Sequence, residues 1–215
     1  MEGVGTPALI VKGAASPHNY ALTPSDAQAI QDARIIFWIG EGMETFLHKA
    51  IDTLPEGAKS VELAEVKGLT VLPVREGGIW DEHLHEDEGP EDEMHADGEH
   101  EHEPYDGHLW LDPANAKLMA AAIALELSNA DPANAETYRL NEQKLERKLD
   151  DLDREIAATL APVKDTPFIV FHDAYQYFER HYGLHAAGSI ALDPEQKPGA
   201  ARLAAIRDRL DEGGV

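Results

Sequence analysis

Short continuous apolar blocks alternate along the chain with longer stretches in which apolar residues recur every third or fourth position. That alternation predicts an α/β protein built on parallel sheets. Residues 8–11 read as a first strand, followed by a loop through Ser16-Pro17-His18-Asn19-Tyr20. Thr23-Pro24-Ser25-Asp26 marks a helix start, with Thr23 as cap, proline at the first helical position and an acid at the third. Residues 34–39 form a hydrophobic run closed by Gly40, the pattern of a buried parallel strand, and a helix over 43–53 and a short strand near 60–63 follow. Asp112-Pro113 caps a helix reaching about residue 129, and Asp131-Pro132 caps another. This second helix carries Tyr138, Leu145, Leu149, Leu152, Ile156 and Leu160 on one face and charged residues on the other until Pro162. At 1.5 Å per residue it extends roughly 45 Å, a strut between two lobes. A strand over 167–171, a helix over 175–181, a strand over 185–191 and a helix over 198–210 complete the pattern. The expected division is an N-terminal α/β lobe over 1–130, a linker helix over 131–162 and a partial C-terminal α/β lobe over 163–215. The alternation stops where another strand is due and begins without a strand and helix to partner 8–11, so both ends are expected to be truncated.

Composition narrows the chemistry. With no cysteine among 215 residues there is no disulfide, thiolate zinc site or cysteine nucleophile, so any metal must be held by histidine and carboxylate. The longest apolar run, 118–125, falls far short of the roughly 20 residues that span a bilayer, and no secretory signal opens the chain, so no membrane insertion is expected. Forty-one acidic against 18 basic residues give a net charge of −23, which repels nucleic acid and anionic membranes and attracts cations.

Much of this charge lies in residues 81–106, which hold thirteen carboxylates, five histidines and no Lys or Arg. So polar a block is expected to form a mobile loop inside a folded domain. A solvated insertion kept for solubility would gain nothing from His83, His85, His95, His100 and His102, whereas imidazole beside carboxylate suits borderline divalent metals. Weak, multi-site metal binding is the expectation for these five.

Three other histidines fall where strands end. His18 follows the first strand, His108 stands in Gly107-His108-Leu109-Trp110-Leu111-Asp112-Pro113 where the acidic stretch returns to the fold, and His172 directly follows the strand ending at Phe171. In open parallel sheets ligands bind at the carboxyl ends of strands, and three imidazoles meeting in such a crevice make a zinc site with one position left over. His48 and His181 lack this setting and are expected on the surface, and His185 simply starts a strand. Asp173 could orient an imidazole or act as a base, the former being the expectation.

Ser16-Pro17-His18-Asn19-Tyr20 with Pro24-Ser25-Asp26, the sequence WIGEGME at 38–44, His108-Leu-Trp-Leu-Asp-Pro113 and Phe171-His172-Asp173-Ala-Tyr175 together resemble the cluster A-I metal receptors of bacterial ABC importers. The match is best to the periplasmic zinc-binding proteins of high-affinity zinc importers. It runs in order over nearly the whole chain, and an acidic, His-rich loop in this position is typical of the zinc members. The resemblance implies two α/β lobes, each around a four-stranded parallel sheet, joined by one rigid helix. It implies a zinc ion in the cleft between them on the residues matching His18, His108 and His172. It further implies a periplasmic monomer that hands Zn2+ to the transmembrane subunit of an ABC permease. Manganese-type relatives usually carry Glu at the position of His172, so imidazole there favours zinc. In some zinc members a Glu precedes the first ligand; here that residue is Pro17, and the fourth ligand is expected to be water or, as the resemblance implies, an acidic residue beyond Val215.

Two other functions compete. Three histidines and a water also describe catalytic zinc in a hydrolase, but His85-Glu86 and His100-Glu101 lack the second histidine of a His-Glu-x-x-His motif. An intracellular metal buffer would use the acidic loop alone. Neither accounts for the ordered motifs, and the expected protein is not an enzyme.

Overall fold

The structure, a computed structural model, describes residues 1–13, 15–75, 105–191 and 198–211. The first helix, α1 (Pro24–Gln31), starts as its sequence predicts. The Thr23 side chain accepts from the Asp26 amide while the Asp26 carboxylate accepts from the Thr23 amide, a reciprocal capping box, and Pro24 occupies the first turn. The hydrophobic run that follows forms β1 (Ile35–Trp38), which pairs in parallel with β2 (Lys59–Glu62), Ile35 opposite Lys59 and Trp38 opposite Glu62. Ile30, Ile36, Trp38 and Leu47 form a buried cluster on this sheet.

Between the two strands the predicted helix over 43–53 shrinks to a 3-10 turn, Thr45–Leu47, and the single helical turn α2 (His48–Ile51). The amides of Met43 and Glu44 both donate to the Gly40 carbonyl. The Glu44 carboxylate in turn accepts from the Ile39 and Gly40 amides at 2.9 and 3.1 Å. This closed turn occupies the residues that would have opened the helix.

Residues 8–11 do not form the predicted strand. They join no ladder among the described residues; Ile10 packs on the first cluster while Leu9 stays 64% exposed.

Helix α3 (Pro113–Ala130) is capped by Asp112, whose carboxylate accepts the Ala114 amide at 2.8 Å. The long helix begins as a 3-10 turn over Pro132–Asn134, continues as α4 (Ala135–Leu160) and ends in a second 3-10 turn over Ala161–Val163. Asp131 does not cap it through a backbone amide; its carboxylate instead accepts from the Asn134 side chain and the Tyr138 hydroxyl, at 2.7 and 3.0 Å. Of the predicted apolar stripe only Tyr138 is fully buried, whereas Leu145 and Leu152 remain 44% and 48% exposed. α3 is 18 residues long against 26, so it cannot cover the whole length of its neighbour.

Past the strut, β3 (Phe168–His172) pairs in parallel with β4 (Ala186–Ala191), flanked by α5 (Gln176–Tyr182) and α6 (Ala200–Asp211). Each sheet therefore has two parallel strands among the described residues, not four. The two halves are not held by α4 alone. Tyr177 of α5 is buried in a cluster with Leu63, Leu109 and Met119 of the first half. His181, expected on the surface, lies between carboxylates of two other helices, its Nδ1 3.0 Å from Asp112 and its Nε2 2.8 Å from Asp153.

Candidate metal centre

His18 sits just ahead of the capping box, which holds its loop. The Asp26 carboxylate accepts from the Thr23 hydroxyl at 2.7 Å, the Thr23 amide at 3.1 Å and the Tyr20 hydroxyl at 2.9 Å. These donors, the Thr23 hydroxyl foremost, lower its pKa to about 2. The Tyr20 ring packs on Phe46 at 5.2 Å, and the His18 amide donates to the Ser16 hydroxyl at 3.3 Å, so the chain at His18 is fixed at both sides.

His108 is reached through a close backbone approach. A Cβ on Gly107 would lie 3.0 Å from the Met43 Cβ and 3.2 Å from the Gly42 carbonyl, and one on Gly42 would lie 3.1 Å from the Tyr105 carbonyl oxygen. The paired glycines let this segment lie on the turn that follows β1, which explains Gly42. A 3-10 turn, Leu109–Leu111, then leads into α3 with Leu109 fully buried, and the Asn115 amide group ties the Leu109 and Thr70 carbonyls together at 3.1 and 2.8 Å. The Asp106 carboxylate accepts the His108 amide at 3.0 Å and pairs with the ring Nδ1 at 2.7 Å.

His172 is the last residue of β3 rather than the first beyond it. Its neighbour Asp173 pairs with Arg75, which also binds Glu179 at 2.9 and 3.0 Å. Burial raises the Asp173 pKa, against the lowering effect of Arg75.

These three placements bring His18, His108 and His172 into one cluster, His108 buried and the other two half-buried. The ring centroids are 5.3 Å apart for His18 and His108, 5.4 Å for His18 and His172 and 5.0 Å for His108 and His172. One ligand nitrogen from each lies within 4.8 Å of the others. Nitrogens bound to one tetrahedral zinc at about 2.1 Å would be about 3.4 Å apart, so small side-chain rotations close the set. Neutral imidazole suits zinc, copper or nickel better than harder ions. The Trp110 ring covers one side of His108 at 5.6 Å and is itself 40% exposed.

The remaining histidines separate cleanly. His48 is exposed beside Glu41, as expected, and His185 immediately precedes β4. His83, His85, His95, His100 and His102 lie outside the described residues. Asp106, which composition assigns to the acidic stretch, is instead buried, 7% exposed, and bonded to His108, a contact that the sequence reading missed. The signal was present in Asp106-Gly107-His108, because an aspartate readily accepts the amide two residues on.

A pair of parallel sheets bridged by one long helix, with three imidazoles converging from a strand end and from loops of both halves, defines a metal-binding protein of the α/β class. The family described as ZnuA, zinc-uptake complex component A, periplasmic, matches residues 2–215. The chain belongs to this family. It is 52% identical over 235 aligned residues to the high-affinity zinc uptake system protein ZnuA of Brucella abortus (strain 2308), covering 100% of this chain and 70% of that protein. A crystal structure of ZnuA superposes with a TM-score of 0.73 at 27% identity, covering 95% of this chain and 69% of the other. The Zn(II)-bound ZnuA-like domain of Streptococcus pneumoniae AdcA gives a TM-score of 0.70 at 26% identity, covering 96% and 66%.

Proposed function

We propose that this protein is a periplasmic zinc receptor that binds one Zn2+ on His18, His108 and His172 and delivers it to the permease of an ABC importer. The observation that carries the reading is the convergence of three imidazoles, each from a different segment, in a chain belonging to a zinc-uptake family. Residues 1–130 form its first lobe and 163–215 belong to the second, with 131–162 as the linker, and it works as a monomer. No helix among the described residues is long and apolar enough to cross a membrane. His83, His85, His95, His100 and His102 provide additional, weaker zinc sites.

The hydrolase alternative has no support. The family is that of a substrate-binding component. Asp173, the carboxylate beside His172, is engaged by Arg75 instead of standing ready as a base.

A competition titration with a zinc chelator tests the reading. The parent should bind one equivalent tightly, and His108→Ala should weaken it by orders of magnitude because three protein ligands become two. Unchanged tight binding by His108→Ala would show that the assignment is wrong.

A further inference from the structure

The candidate ligand His108 is paired with a buried carboxylate. Asp106 is buried, and a single oxygen, Oδ1, serves both the His108 amide at 3.0 Å and the ring Nδ1 at 2.7 Å. Its other oxygen accepts the Gln176 side-chain amide at 3.2 Å, and the same amide group donates to the Pro73 carbonyl at 2.9 Å. The Asp106 backbone is equally engaged, its amide donating to the Leu72 carbonyl at 2.9 Å and its carbonyl accepting the Tyr177 hydroxyl at 2.7 Å. One residue thus touches a candidate metal ligand, the backbone at Leu72 and helix α5.

We propose that Asp106 is the positioning residue of the metal centre: its carboxylate holds the hydrogen on His108 Nδ1, so that Nε2 keeps its lone pair for zinc, and locks the ring to α5 through Gln176. The chemistry follows from the acceptor. A carboxylate within hydrogen-bond distance of Nδ1 selects the tautomer that donates from that nitrogen, and in a neutral ring the other nitrogen is then the metal-binding atom. The attachment to Gln176 gives this orientation a second function. Because α5 follows β3 and His172, the bond couples the ring angle of His108 to the half of the molecule that supplies His172. Two ligands from different halves are thereby set relative to one another before the ion arrives, which reduces what zinc binding must spend on ordering them.

This role rests on the zinc-receptor reading, and the test separates the two. Zinc affinity is measured by chelator competition for the parent, Asp106→Ala, Asp106→Asn and His108→Ala. The imidazole 15N signals of His108 are recorded in the metal-free proteins at neutral pH. The parent should show hydrogen on Nδ1. Asp106→Ala should shift His108 toward the Nε2–H form and weaken zinc by about 10- to 100-fold. Asp106→Asn, which keeps an oxygen for the His108 amide, should be intermediate; if the alanine variant does not fold, the asparagine variant carries the same two readouts. A parent with hydrogen on Nε2, or Asp106 variants binding within twofold of the parent with unchanged His108 signals, would overturn the role. If His108→Ala also retains tight zinc, the receptor assignment itself fails; if it loses zinc while the Asp106 variants keep it, only the positioning role fails.

Discussion

The hydroxyl of Tyr177 donates to the Asp106 carbonyl at 2.7 Å and accepts the Leu72 amide at 3.0 Å, so one side chain from α5 pins both segments that flank residues 76–104. Tyr177 is 1% exposed, and burial raises its hydroxyl pKa to about 12, so it stays protonated and able to donate throughout the neutral range. Tyr177→Phe would keep the ring in its cluster but leave the partly buried Leu72 N–H and the buried Asp106 C=O short of a partner. Its stability should drop by about 1–3 kcal/mol in urea unfolding. A midpoint equal to the parent's would mean that water replaces the hydroxyl at no cost.

The capping box near His18 carries a pH dependence whose sign is fixed. The Asp26 pKa is lowered to about 2 in the folded protein, below the ordinary carboxylate value of about 3.9. A depressed folded value means that its contribution is complete above about pH 4 and is lost as pH falls toward 2, because protonation removes the acceptor charge. Asp26→Asn should therefore be less stable than the parent at pH 6, and the difference should shrink toward pH 2. Thermal unfolding of both proteins across that range checks it, and a gap that widens in acid would contradict the assignment.

Some of this architecture can be read from residues close in sequence, and some cannot. The Thr23-Pro24-Ser25-Asp26 cap and the Asp112-Pro113 start are local devices whose donors and acceptors lie within a turn, and both form as the sequence predicts. His172 is legible because it ends a buried parallel strand, whereas His18 follows no strand among the described residues and His108 only an isolated bridge, so their convergence is fixed by loops rather than by sheet topology. Partners supplied from afar are not legible. Arg75 claims Asp173, and Asp112 and Asp153 enclose His181, each from a different element. Asp106 is hidden for another reason: composition averages over a window, and it stands at the end of a strongly acidic one. Residues 8–11 fail as a strand because four apolar residues specify burial but provide no neighbour for their amides.

Metal selectivity should follow the three imidazoles. Manganese lies at the weak end of the divalent series and prefers oxygen, so it should bind far more weakly than zinc, whereas copper should compete well. Parallel titrations in one non-chelating buffer measure this. Equal zinc and manganese affinities would point to a general divalent receptor.

The acidic stretch should affect supply more than final affinity. Deleting residues 82–103 spares Tyr105, which bridges to Pro73 and bonds Glu62 at 3.3 Å, and spares Asp106. The deletion should remove the weak zinc equivalents, leave the tight one within a few fold, and slow loading at low salt as the negative field is lost. Calorimetry and stopped-flow uptake report the two effects. Loss of the tight equivalent would show that a primary ligand comes from the deleted segment; unchanged stoichiometry and rate would leave it a solubilising insertion.

The three clustered imidazoles come from stretches of chain far apart in sequence, whereas the five in the acidic segment are near neighbours. An unfolded chain therefore still offers the second group to zinc but cannot assemble the first. The tight equivalent reports the native state alone, so zinc at low occupancy should raise the unfolding temperature, while excess metal, captured by both states, should give diminishing protection. On the proposed assignment the same difference sets an order of availability during folding: the five neighbouring histidines are open to zinc from the start, and the centre only once His18, His108 and His172 have been brought together.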